Sequence, residues 1–341
     1  MKPLVSILIP AYNKEKWIAE TIRSVLAQTW EPKEIIVVDD GSTDRTVDIA
    51  RQFDPKLVRV VMQSNEGASS ARNKALSLSS GSYIQWLDAD DLLAPDKIAR
   101  QMKVAQGQCT SRTLLSSSWG RFFYRSSHAR FVASTLWCDL QPVDFLLRKM
   151  GQKVFMPISC WLVSRELTES VGPWDASISL DDDGEYFSRA VVASDGIRFV
   201  PEAKVFYRSV GISSLSRDVY SKRSLDGFWR SMGLHIGRLR SLDDTMTARG
   251  ACLRYLQSNV IDFYPRRPDI VAEMQEIAAE LGEQLKLPQL SWKYRWIKAL
   301  FGWGCAKRAQ MFFPDIKWSL VRYWDETLFN LERRGFRENP G

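Results

Sequence analysis

Four short β-branched runs punctuate the start of the chain, at Val5–Ile9, Glu34–Val38, Val58–Met62 and Tyr83–Leu87. Their mainly apolar, β-branched character predicts buried strands. Between them the period changes: Glu15–Gln28 sets Trp17, Ile18, Ile22, Val25 and Leu26 near helical spacing. Thr43–Phe53, after a Gly41-Ser42 turn, and Ala68–Ser79 are the next two predicted helices. Such alternation predicts an α/β fold whose mostly parallel sheet is joined by right-handed crossovers. Ligands of such sheets sit beyond the carboxyl ends of the strands. That rule singles out Pro10–Asn13, Asp39–Asp44, Ser64–Gly67 and Asp88–Asp91. Further along, strands are expected at Leu114–Tyr124 and Ile197–Tyr207, and residues 219–287 read as two or three packed helices.

Composition narrows the chemistry. The cysteines at 109, 138, 160, 252 and 305 are scattered, odd in number and form no CxxC pair, which predicts thiols rather than a disulfide frame or zinc site. Only His128 and His235 are available as imidazoles, so chemistry must rest mainly on carboxylates. No apolar run approaches the ~20 residues that span a bilayer, and Leu4–Ile9 is too short for a secretion leader. The expectation is a cytoplasmic protein. Of the net charge of +7, residues 291–341 hold ten Lys/Arg against five Asp/Glu, so the rest carries only +2. That distribution argues against a nucleic-acid partner. Twelve of the 39 aromatics also fall in 291–341, interleaved with the basic residues. Trp292, Trp296, Phe301, Trp303, Phe312, Phe313, Trp318 and Trp324 beside Lys293, Arg295, Lys298, Lys307, Arg308, Lys317 and Arg322 predict peripheral contact with the inner face of a membrane. Packing of these aromatics on the rest of the chain is the competing expectation.

Three acidic clusters carry the candidate chemistry. Asp88-Ala89-Asp90-Asp91 follows the apolar strand Tyr83–Leu87, and carboxylates this close repel unless a cation or solvent separates them. Hard ions such as Mg²⁺ or Mn²⁺ take oxygen ligands and share their shell with substrate phosphates; a solvated turn before the helix near Pro95 is the plainer alternative. Val37-Val38-Asp39-Asp40-Gly41-Ser42-Thr43-Asp44 ends the second strand, where a carboxylate can accept from a base N–H while Ser42 or Asp44 caps the next helix. Pro10-Ala11-Tyr12-Asn13 offers an aromatic for base stacking, and Arg72 a guanidinium for a diphosphate. Leu180-Asp181-Asp182-Asp183-Gly184-Glu185 is the third cluster, a place for a general base or a solvated acidic loop.

In order, these segments carry a resemblance. Val-Ser-Ile-Leu-Ile-Pro-Ala-Tyr-Asn at 5–13, Val-Val-Asp-Asp-Gly-Ser-Thr-Asp at 37–44, Asn-Glu-Gly-Ala-Ser-Ser-Ala-Arg-Asn at 65–73 and Trp-Leu-Asp-Ala-Asp-Asp at 86–91 resemble the family 2 glycosyltransferases of the GT-A fold. The resemblance covers about residues 3–216. It implies a GT-A catalytic domain over 1–216, followed by a helical extension at 217–290 and the basic aromatic tail at 291–341. It also implies inverting transfer from a nucleotide-diphosphate sugar, most often a UDP-sugar, to a glycan or lipid-linked acceptor in surface polysaccharide or glycoconjugate assembly.

By the same resemblance Pro10, Tyr12 and Asp40 would meet the nucleotide with Asp39 in support, and Arg72 would lie near the donor. Asp88 and Asp90 match the family's DxD pair and would hold Mn²⁺ or Mg²⁺, with Asp88 also at the donor and Asp91 close by. The family's base is the aspartate of a Glu-Asp pair six residues before an arginine; here Asp183 stands six before Arg189, with Asp182 in place of the glutamate. Three consecutive aspartates leave that register open by one. The chain departs from many relatives in lacking a histidine soon after Tyr207-Arg208. It also lacks the Gln-x-x-Arg-Trp signature of processive synthases, which Trp292-Lys293-Tyr294-Arg295-Trp296 only echoes. Pro-Ala-Tyr-Asn after the first strand excludes the dinucleotide fingerprint. A non-catalytic nucleotide-sugar-binding module of the same fold is the alternative reading.

Overall fold

The computed structural model describes residues 2–209, 221–287, 294–312 and 321–331. The first sheet has the order β3-β2-β1-β4-β8. Its strands are β1 (Val5–Ala11), β2 (Lys33–Asp40), β3 (Val58–Gln63), β4 (Tyr83–Trp86) and β8 (Val163–Ser164). Strands β1 to β4 are parallel, and only β8 runs against them. The crossovers are α1 (Ile18–Leu26), α2 (Thr46–Ala50) and α3 (Ala68–Ser77), as the periodicity predicts. Pro10 lies in a central strand without cost because β4 pairs with β1 only as far as Leu8.

A second sheet, ordered β5-β9-β6-β7, covers the middle of the chain. It comprises β5 (Leu92–Leu93), β6 (Thr113–Phe122), β7 (Arg130–Phe131) and β9 (Gly196–Arg208). The helices α4 (Lys97–Gln108), α5 (Pro142–Gln152), α6 (Arg165–Val171) and α7 (Asp182–Ala193) connect and flank these strands. The extension supplies α8 (Lys222–Leu242), α9 (Met246–Phe263) and α10 (Pro268–Glu280), three helices where two or three were expected. Its buried Leu225, Met232, Leu256 and Phe263 belong to the same apolar core as β1 and β4. Beyond it lies α11 (Arg295–Phe312) and a helical run at 321–331.

Two sequence expectations need correction. Only Thr46–Ala50 of the segment 43–53 is helical. Asp44 accepts from the Glu15 N–H at 3.0 Å and Ser42 Oγ from the Asn13 N–H at 2.9 Å, so these side chains stitch two loops together. Only Asp44 also meets the first turn, accepting from the Thr46 N–H at 2.9 Å. The acidic run 88–91 does not cap α4 either, because Asp96 holds that N-cap position.

An aromatic cluster fixes α7 against the sheet. Trp86 is fully buried and meets Trp174 and Tyr186 edge-on at 5.2 and 5.8 Å, while Trp174 and Tyr186 stack at 4.0 Å. Beneath it, Lys97 is fully buried, with Nζ donating to Gln85 Oε1 and lying 3.5 Å from the Trp161 carbonyl. Burial pushes this ammonium down to about 7. Its folded pKa therefore lies below its unfolded value, and between the two the unfolded chain binds more protons. Stability should rise from about pH 7 towards about pH 10. Lys97→Met should abolish that rise, as chemical denaturation across the range would show; parallel profiles for the two proteins would contradict it.

Candidate active site

The parallel register brings the ends of β1 and β2 level, with Ala11 paired to Asp39. Tyr12 projects just beyond, half exposed, and Asn13 takes a left-handed φ of 52°. Asn13 Oδ1 accepts from the Thr43 N–H at 2.8 Å. The two strand-end acids do different work. Asp40 accepts from the Gln63 amide and from the backbone N–H groups of Glu66 and Gly67, all within 2.9 Å, and so holds the loop that opens α3. Asp39 accepts from the Ser42 N–H at 3.0 Å, and its Oδ1 is a buried acceptor with no partner among the described residues. The unspent acceptor thus lies on Asp39, which the resemblance gave only a supporting part. Buried polar atoms are almost always paired, so this orphan marks where a donor group belongs.

Asp88, Asp90 and Asp91 follow β4 and are separated by three different means. Asp91 turns into the core, 1% exposed, and accepts from Ser159 Oγ at 2.7 Å and the Arg208 N–H at 2.9 Å. Burial, with Asp90 and Asp88 nearby, pushes its pKa well up. Asp90 receives Lys14 Nζ at 2.5 Å. Asp88 receives Arg72 Nη2 at 3.1 Å; burial raises its pKa and the charge of Arg72 works the other way. Arg208 underpins the segment: its Nε donates to the Asp90 carbonyl at 2.8 Å and its guanidinium lies 4.2 Å from the Trp17 ring.

Asp181 precedes α7 and its two neighbours form the helix's first turn, where the helix dipole favours carboxylates. Asp182 accepts from Arg72 Nη1 at 2.6 Å. Arg72 therefore ties Asp88 to Asp182, itself 5% exposed and 4.4 Å from the face of Trp174. Asp183 forms no ion pair among the described residues and lines a cavity of about 450 Å³. Phe145 and Lys149 of α5, Trp161, Phe228 of α8 and Asp262 of α9 complete much of its wall. Burial, then Asp182 and Asp181, push the Asp183 carboxyl up to about 7, against Lys149 and Arg72. Arg189, six residues on, spans Glu185 at 2.9 Å and the carbonyls of Val171 and Pro173 at 2.6 and 2.8 Å.

No three His, Cys, Asp or Glu side chains form a metal-holding group among the described residues. Asp88 and Asp90 nevertheless fit a divalent ion. Their side chains are 36% and 19% exposed, and Asp88 Oδ2 and Asp90 Oδ1 carry no hydrogen bond among the described residues. Mg²⁺-type sites commonly use one or two carboxylates and complete the shell with substrate phosphates. Sequence reasoning missed Lys14, Arg208, Lys149 and His235. Lys14 directly follows the Tyr-Asn turn, a signal that was available; the others come together only in three dimensions.

The model of glycosyl transferase family 2 matches residues 6–172. The putative teichuronic acid biosynthesis glycosyltransferase TuaG of Bacillus subtilis is 44% identical over 105 residues, 30% of this chain and 42% of that protein. The chain spans less than two thirds of the length of each of the first curated relatives it matches. Among solved structures, S. aureus TarS 1–349 in complex with UDP superposes with a TM-score of 0.59 at 18% identity, over 88% of this chain and 79% of that one. The mannosyltransferase PcManGT from Pyrobaculum calidifontis, in complex with GDP-Man and Mn²⁺, gives 0.53 at 18% identity over 95% and 85%. With its strand-end motifs inside the matched span and its sheet shared with these structures, residues 6–172 form a glycosyl transferase family 2 domain and the fold is GT-A.

Proposed function

We propose that the chain transfers a sugar, with inversion, from a nucleoside-diphosphate donor to an acceptor hydroxyl. The observation that carries this reading is the Arg72 bridge, which sets the Asp88 strand end beside Asp182 and Asp183. The nucleotide lies along Tyr12 and the Asp39–Asp40 pair, where the unpartnered Asp39 Oδ1 suits the ring N–H of uracil. UDP in the TarS structure supports a UDP-sugar, and the GDP-Man complex of PcManGT makes a GDP-sugar the alternative. Asp88 and Asp90 hold a divalent ion, Mn²⁺ or Mg²⁺, which when bound supplies Lewis-acid stabilisation of the leaving diphosphate. Lys14 and Arg72 add positive charge on either side. The acceptor enters the aromatic-walled cavity, and Asp183 takes its hydroxyl proton as the oxygen attacks C1 opposite the leaving group. The acceptor is a glycan or lipid-linked glycan, in keeping with the teichuronic acid assignment of TuaG. A non-catalytic module would have no use for a half-buried carboxylate held near neutral pKa at the cavity wall.

A membrane surface is the second part of this reading. No described helix is long and apolar enough to cross a membrane. The helical run 321–331 instead lies on the domain through one face: Asp325 accepts from the Tyr124 N–H at 2.8 Å and Phe329 packs 6.0 Å from Trp17. Its other face exposes Val321, Trp324, Leu328 and Leu331 at helical spacing, and α11 exposes Trp296, Leu300 and Phe301. Packing on the domain and exposure thus divide the aromatics between them. Trp292, Lys293, Phe313, Lys317 and Trp318 lie outside the described residues, as do Val210 and Gly211. The excess of five basic charges in 291–341 makes an anionic leaflet the matching occupant.

Three outcomes follow. Asp183→Asn should lower transfer at least ~10²-fold with donor affinity nearly unchanged, whereas Asp182→Asn should weaken donor binding through Arg72. Wild-type turnover should rise with pH and level off above about 7, since the base works only when ionised; near-normal transfer by Asp183→Asn would place the base elsewhere. Calorimetry should show Mn²⁺ or Mg²⁺ strengthening nucleotide binding and Asp90→Ala removing the increment. Binding and turnover indifferent to EDTA would reduce 88–91 to an acidic turn. Flotation with anionic vesicles should carry the wild-type protein at low salt and not Trp324→Glu/Leu328→Glu. Failure of the wild-type protein to float rejects the membrane, equal flotation of both rejects this face as the contact, and a dimer lost in the variant would assign the face to a second copy.

A further inference from the structure

The start of α7 is built in an unusual way. Asp181 holds φ 64° and ψ 29°, a left-handed conformation uncommon outside glycine that aspartate adopts more readily than most residues. Its carbonyl accepts the Glu185 N–H at 2.9 Å, so this residue decides where the helix begins and where Asp183 faces. The carboxylate folds back over the first turn. A Cβ on Gly184 would lie 1.9 Å from Asp181 Oδ1, so glycine is the residue that fits there.

The support comes from α8. Ser231 Oγ donates to Asp181 Oδ2 at 2.6 Å and His235 Nε2 lies 2.9 Å from the same oxygen. The two donors stand four residues apart and so share one face of their helix. His235 is fully buried; burial, then Lys149, lower its pKa, so the imidazole is neutral and Nε2 carries the proton that Asp181 accepts. Nδ1 has no partner among the described residues, which leaves no competing use for the ring. Burial works against the charge on Asp181, but Lys149, His235 and Ser231 outweigh it and hold the carboxyl at about 2.

We propose that Ser231 and His235 are positioning residues that lock Asp181 in its left-handed turn and thereby aim Asp183 into the cavity. The lock rests on the reading of Asp183 as the base. It makes the extension beyond the matched family span a working part of the site. An imidazole at 235 is needed only as a neutral N–H donor at the Nε2 position, a place that a glutamine carboxamide also reaches.

The test measures donor affinity by calorimetry and turnover with saturating donor in the full chain. His235→Leu should lower turnover about 10–100-fold, the scale expected when a reacting group is misplaced by an ångström or so. Donor affinity should stay within about twofold, because Asp181 touches neither Arg72 nor the strand ends. His235→Gln should restore most of the turnover. Ser231→Ala, a smaller change that spares folding, should lower turnover in the same direction. Wild-type turnover in both His235→Leu and Ser231→Ala overturns the lock. A loss in His235→Leu that glutamine does not restore, with donor affinity falling alongside, also overturns it and makes the contact a folding element. Asp183→Asn runs alongside: if it remains active, the base assignment has failed and not merely the lock.

Discussion

The site depends on one buried guanidinium. Arg72 stands on α3, yet its two terminal nitrogens reach Asp88 at the end of β4 and Asp182 at the start of α7. Those partners lie 16 and 110 positions away in sequence. A buried cation is tolerable only when well paired, so the guanidinium draws the two acidic segments to a fixed separation. Trp174 closes its remaining face at 4.4 Å and belongs to the cluster that seats α7 on the sheet. Lysine could not replace it, because a point charge cannot bond two carboxylates in one plane.

The other acids are disposed around that bridge in a graded way. Asp91 is buried under a hydroxyl and an amide, Asp90 takes an ammonium, and Asp181 is held ionised by α8 and Lys149. Among the described residues Asp183 receives only the Gly184 N–H, at 2.7 Å. Crowding six carboxylates into two short segments would be prohibitive without this sorting. Its by-product is one carboxyl whose proton affinity lies near neutrality, which is what a base working at physiological pH requires.

Much of this was legible in the chain. Apolar runs and helical spacing located β1 to β4 and their crossovers, since β1, β2 and β4 are largely buried, although β3, at the sheet edge, is only partly so. The strand-end rule then found Asp39, Asp40, Asp88 and Asp90, because sheet topology, and not side-chain detail, places them. What stayed hidden depended on distant pairings. Nothing near Asp40 in sequence shows that it ties the Glu66–Gly67 loop, and nothing near Asp181 announces Ser231 and His235 fifty or more positions away. Arg208 was visible only as a pair lacking a histidine, and its role under Asp90 appears once β9 lies beside β6. The triple aspartate could not be resolved by spacing, yet the structure separates its members by their partners.

That separation bears on where specificity resides. On the proposed function, the donor side is built from short strand-end segments inside the matched span, whose backbone register leaves little room for variation. The cavity beside Asp183 is walled instead by α5, α7, α8 and α9, and the last three lie beyond that span. A helix face tolerates exchange of the half-buried Phe228 far better than a parallel sheet tolerates a shift at Asp39. On the proposed reading the wall can therefore change while the strand ends keep their geometry, provided the donors on α8 keep their hold on Asp181. A helix that changed its cavity face and lost Ser231 and His235 would, by the proposed lock, also turn Asp183 away from the cavity.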